Sequence, residues 1–67
     1  MSKTFEIIER VGISTESLSD AVKSVVNEAN SEKKIGWFEV SEQRGRITND
    51  GKIEFQVTVK IGRKLTE

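Results

Sequence analysis

The chain has 67 residues, with 11 basic and 11 acidic side chains and neither cysteine nor histidine. That length leaves room for a single domain, 1–67, with no disulfide, no thiol nucleophile and no imidazole for acid–base work or metal binding. A domain this small buries only about 60% of the surface its unfolded chain exposes, so oligomerisation is the staple that remains to it.

At the N-terminus, Met1-Ser2-Lys3-Thr4 lacks the apolar stretch of a signal peptide. No apolar run approaches the roughly 20 residues of a membrane span, so a cytoplasmic location is the default expectation. Balanced charge argues against duplex nucleic acid or an anionic membrane as partner. From Lys3 to Val11, β-branched and aromatic residues dominate, with Phe5, Ile7 and Val11 alternating on one face. This segment reads as a strand that Gly12 ends. Ser14 or Thr15 can then cap a helix, with Glu16 favourably placed in its first turn.

Beyond that cap, Leu18, Ala21, Val22, Val25, Val26 and Ala29 recur at the spacing of one helical stripe. The helix should end between Asn30 and Lys33, where apolar residues run out. Two strands follow, Ile35 to about Ile47 and Lys52 to about Leu65, joined at Thr48-Asn49-Asp50-Gly51. An Asp-Gly pair accepts the positive φ of a tight hairpin turn. In the last strand Ile53, Phe55, Val57, Val59 and Ile61 alternate with Glu54, Gln56, Thr58 and Lys60, so one face meets the helix and the other does not. The fold class is α+β: a β-α-β-β chain whose three-stranded antiparallel sheet packs on one helix and associates as a homo-oligomer.

The middle strand holds an exception. Phe38 and Val40 form the apolar pair that should face the core, which turns Trp37 and Glu39 to the opposite face. Gln56 and Thr58 lie there too. A tryptophan on a polar sheet face has no partner within its own domain. It can be an edge residue covered by a loop, an anchor against another subunit, or a platform for a flat ligand beside the amide of Gln56. The last two are compatible in a pocket between subunits.

At these residues the chain resembles the dodecins, small flavin-binding proteins that assemble as hollow dodecamers. The match runs through Trp37-Phe38-Glu39-Val40, Arg44-Gly45, Phe55-Gln56-Val57-Thr58-Val59-Lys60 and Ile61-Gly62, and the opening Ile8-Glu9-Arg10-Val11-Gly12 is similar to the family's first strand. The resemblance implies that Trp37 stacks on an isoalloxazine ring, with paired flavins sandwiched between tryptophans of symmetry-related subunits. It also implies that Gln56 hydrogen-bonds the polar edge of that ring. The role it implies is storage, buffering or photoprotection by a homododecamer without turnover. The family often ends in Gly-Phe-Arg-Leu-Glu, whereas this chain has Gly62-Arg63-Lys64-Leu65-Thr66, with Arg63 in place of the aromatic.

Arg44, Arg46, Arg63 and Lys64 can each be a solvated strand-end charge paired with Glu39, Glu42 or Glu54, or a contact to a ligand phosphate, which would favour FMN over riboflavin. Arg44 has the added weight of a matching family position. The acidic residues lack calcium-loop spacing and the glycines stand singly, so neither a calcium loop nor a phosphate cradle is expected. The expected protein is therefore no enzyme, with Trp37, Gln56 and Arg44 binding FMN or riboflavin. The alternative is a structural or interaction homo-oligomer of the same fold, with Trp37 only as an interface anchor.

Overall fold

The computed structural model describes residues 4–65. The elements are β1 (Phe5–Ser14), α1 (Leu18–Glu32), β2 (Ile35–Ile47) and β3 (Ile53–Lys64). The strands form one antiparallel sheet in the order β1-β3-β2, so the most regular strand is central. This is the β-α-β-β arrangement expected from the pattern of apolar residues.

The helical stripe becomes the core. Ala21, Val25 and Ala29 are buried against Val57, Val59 and Ile61, with Leu18, Val22 and Val26 packed beside them. The cap is Ser17, not Ser14 or Thr15: its hydroxyl accepts from the Asp20 backbone N–H at 2.9 Å. Ser14 is instead the last residue of β1. Its hydroxyl accepts from the Glu16 N–H at 2.9 Å and donates to Asp20 Oδ2 at 2.6 Å, tying the strand exit to the helix start. At the far end the helix stops at Glu32, inside the expected window.

Gly12 does not end β1; the strand runs two residues past it. A Cβ at Gly12 would lie 3.0 Å from Val25 Cβ and nearer still to the Ala21 carbonyl oxygen. The residue is glycine because the helix crosses the sheet there. The register pairs Ile8 with Ile61, Arg10 with Val59 and Gly12 with Val57. Residues directly opposite in an antiparallel pair share a face, so Ile8, Arg10 and Gly12 look toward the helix. The row Phe5, Ile7 and Val11 therefore points away from it, with Ile13, and all four remain about half exposed.

At the hairpin, Thr48 N–H donates to the Lys52 carbonyl at 2.8 Å and Gly51 N–H to the Thr48 carbonyl at 2.9 Å. Gly51 takes φ +82°, the positive φ expected of the Asp-Gly pair. Phe38 and Val40 do lie on the helix side, opposite Ile61 and Val59. They stay 48% and 40% exposed, however, because the helix covers β1 and β3 and leaves β2 largely bare. A long, uncovered edge strand on one side of the sheet and an apolar outward row on the other are surfaces that invite a second chain.

Arg63 fits neither expectation for the basic residues. It is 8% exposed and lies under the end of the helix, where Nη2 donates to the Ala29 carbonyl at 3.0 Å. Glu32 Oε1 stands 3.6 Å from the same nitrogen, while Nε is buried without a partner. Arg10 reaches the same carboxylate with a two-pronged grip at 2.9 and 2.6 Å. The Arg10 hydrogen bonds, opposed by partial desolvation and aided by Arg63, hold the Glu32 carboxyl below the ordinary carboxylate range.

A folded-state value below the unfolded one means that this grip stabilises the protein above the unfolded glutamate value of about 4.3. The contribution disappears as pH falls through the folded value. Glu32→Gln should therefore melt below wild type at pH 7, with the gap closing on acidification. Melting curves from pH 7 to pH 3 at one protein concentration check this; a gap constant over that range would mean that charge is not what Glu32 contributes.

Candidate functional site

The face turned from the helix carries the side chains that can meet a ligand. Trp37 stands opposite Gly62 in the register, and the indole lies directly over that glycine: a Cβ there would come within 2.6 Å of Trp37 Cζ2. The missing side chain is what lets the ring approach the strand so closely. The indole is thus packed against its own sheet at Gly62, and the residue remains 40% exposed. A planar aromatic side chain fixed against its own strand and still partly open is suited to stacking.

Gln56 and Arg44 pair across β3 and β2 on the same face, joined by Arg44 Nε donating to Gln56 Oε1 at 3.1 Å. Simple alternation counted from Trp37 would put Arg44 under the helix. A register shift between Val40 and Glu42 prevents this. Ser41 is the extra residue of a bulge, its hydroxyl donating to the Thr58 carbonyl at 3.2 Å. Beyond it Glu42, Arg44 and Arg46 look away from the helix, and Ile47 returns to the helix side opposite Ile53. The bulge therefore delivers Arg44 to Gln56.

Trp37 and Gln56 are not neighbours within one chain. Gly62 lies six positions along β3 from Gln56, a span of roughly 20 Å at strand rise. A single tricyclic ring cannot touch both. The two can meet on one ligand only where Trp37 of one copy approaches Gln56 of another.

Each end of the face has its own charges. Lys64 lies at the Trp37 end, lining a depression of about 330 Å³ with Lys33, Lys34 and Phe5. Arg46 lies at the Gln56 end, where it pairs with Glu54 at 3.0 Å. Hydrogen bonds from Arg46 first, then from Gln56, hold the Glu54 carboxyl below its ordinary range against a smaller effect of desolvation.

Reasoning from sequence gave Gly62 no role of its own and took Glu54 only as a partner for a basic residue, which it is for Arg46, missing its place beside Gln56. Glu54 was findable, since a residue two before Gln56 in a regular strand shares its face. Gly62 was not, because its importance comes from the register opposite Trp37. Among the described residues no group of three or more carboxylates gathers as a metal site would need, and no helix is long and apolar enough to cross a membrane.

A family model described as Dodecin matches residues 4–66. The dodecin of Thermus thermophilus is 37% identical over 68 residues, covering 100% of this chain and 99% of that protein. The crystal structure of an arginine-to-alanine variant of T. thermophilus dodecin superposes with a TM-score of 0.86, at 36% identity over 98% of each chain. Dodecin from Streptomyces davaonensis superposes with a TM-score of 0.87, at 32% identity over the whole of both chains. A calcium-chelating dodecin from Mycobacterium tuberculosis shares the fold at 23% identity.

Proposed function

The chain belongs to the dodecin family, and from that premise we propose that it is a non-catalytic, cytoplasmic flavin-binding protein that stores or sequesters FMN or riboflavin as a homododecamer. One observation carries the reading. The Trp37 indole packs close over Gly62, where any side chain would collide with it, and stays 40% exposed on a sheet face that its own helix leaves uncovered. Apposed copies bring two such indoles together with a gap for flat rings between them. The distance between Trp37 and Gln56 supports the same picture, since the amide that reads the ring edge then comes from a neighbouring copy.

Arg44 is the third member of the site. Its Nε is committed to Gln56, so its first contribution is to the ring edge, and a phosphate of FMN is left to its terminal nitrogens. The physical role follows from the contacts. A flavin buried between indoles is shielded from solvent, and its excited state is quenched by electron donation from the indole.

Light scattering coupled to size exclusion, followed by riboflavin titration, tests the proposal. The expected result is an assembly far above the 7.5 kDa of one chain that quenches riboflavin fluorescence on binding. A monomer at micromolar concentration would remove the shared pocket and the function with it. An assembly that leaves riboflavin fully fluorescent would favour the structural homo-oligomer, to which the half-exposed row Phe5, Ile7, Val11 and Ile13 also lends support.

A further inference from the structure

Gln56 is held from both sides by groups that permit only one orientation of its amide. The two ends of an amide are nearly alike in size, so its partners decide which way it faces. Arg44 Nε can only donate, and it gives its hydrogen to Gln56 Oε1 at 3.1 Å. An ionised Glu54 can only accept, and it takes a hydrogen from Gln56 Nε2 at 2.7 Å. Turning the amide over would set N–H against N–H and carbonyl oxygen against carboxylate. Glu54 is itself fixed by the fork of Arg46, with Nε to Oε2 at 3.0 Å and Nη2 to Oε1 at 3.2 Å.

We infer that Glu54 and Arg46 are positioning residues that lock the Gln56 amide in a single orientation, so that it reads the edge of a planar heterocycle in one direction. The ligand half of this inference rests on the flavin reading above. One hydrogen of Nε2 and one lone pair of Oε1 are already used. What remains is one donor beside one acceptor, which fits a ring edge that sets a carbonyl next to an N–H. The isoalloxazine imide offers that N–H between two carbonyls, at C2 and at C4. With the amide locked, Oε1 takes the N–H and Nε2 donates to one particular carbonyl. The other carbonyl would require the flipped amide, which Arg44 and Glu54 oppose. Direction, and not only affinity, is what the clamp supplies.

Glu54→Gln keeps the size of the side chain and presents both a donor and an acceptor, which lifts the constraint. The chain has two glutamines, Gln43 and Gln56, so glutamine-selective nitrogen-15 labelling leaves two side-chain amides to observe in wild type and one more in Glu54→Gln. In the ligand-free protein the Gln56 proton bonded to carboxylate should resonate well downfield, and Glu54→Gln should abolish that offset. The second readout is the ratio of affinities for 2-thioriboflavin and 4-thioriboflavin, sulfur being a poor acceptor. Wild type should favour one over the other by roughly fivefold, the worth of one hydrogen bond. Glu54→Gln should bring the ratio toward unity, and Arg46→Gln should move it part of the way. An unchanged Gln56 resonance, or an unchanged thioflavin ratio in Glu54→Gln, would overturn the inference. If the resonance shifts as expected but wild type takes up no riboflavin, the ligand half falls together with the flavin reading, while the clamp on the amide stands.

Discussion

Replacing Trp37 with alanine should weaken riboflavin binding roughly 5- to 150-fold per indole, and any flavin still bound should fluoresce more brightly. The range follows from the about 1–3 kcal/mol that stacking of a base on an aromatic side chain is worth in nucleic-acid proteins. Indole offers the largest flat face of any side chain and is also the electron donor that quenches the excited flavin, so one substitution removes both. Gln56→Leu separates the two effects: binding should weaken while the remaining flavin stays quenched, because the donor is untouched. Gly62→Ala attacks the platform from beneath. A methyl there falls within 2.6 Å of Trp37 Cζ2, so the indole must lift from the sheet, and affinity should fall although every ligand-facing side chain is present. Titrating riboflavin into the four proteins measures all of this. Equal affinity in wild type and Trp37→Ala would reduce Trp37 to an interface anchor.

Gly12→Ala should have the largest effect on stability. The added Cβ would press on Val25 at 3.0 Å and on the carbonyl oxygen of Ala21 at closer range. Backbone cannot rotate away, so the helix itself must rise from β1 and β3, and overpacking of this kind costs about 1–3 kcal/mol. Against this, alanine restricts the unfolded chain more than glycine does, a gain of about 0.4–1 kcal/mol. The clash outweighs that gain. For a domain of this size 1 kcal/mol corresponds to roughly 4–8 °C in melting temperature, so a loss on the order of 5–15 °C is expected. It should be measured at matched protein concentration, since association contributes to the apparent stability of an oligomer. A melting temperature at or above wild type would show that the helix accommodates the methyl, and that the close approach at Gly12 is not required.

The parts of this protein legible in its sequence are those governed by local periodicity. The stripe from Leu18 to Ala29 specifies a helix and its buried side, because every third or fourth residue faces one way. Strict alternation from Ile53 to Ile61 specifies a strand with one apolar face, and Asp50-Gly51 specifies the turn before it. These together place Trp37 opposite to Phe38, on the face without a helix. The register agrees at each of these points.

What the tertiary structure decided depends on contacts between segments distant in the chain. A single extra residue at Ser41 reverses the alternation of β2, and it alone carries Arg44 to the face of Gln56. Nothing in the residues from Val40 to Arg44 announces that bulge, since it is defined by how many residues of β3 lie opposite. Gly12 reads as a strand end until the helix is laid across it, and Gly62 as a small residue until Trp37 is paired with it. Arg63 reads as a surface charge until the end of the helix covers it and the Ala29 carbonyl takes its hydrogen. Trp37 and Gln56 read as neighbours because they share a face, while the register sets them at opposite ends of the sheet. Which face a residue occupies is a local property, repeated every two residues along a strand. How far apart two residues stand, and what lies above them, follows from the pairing of whole elements, which no single segment contains.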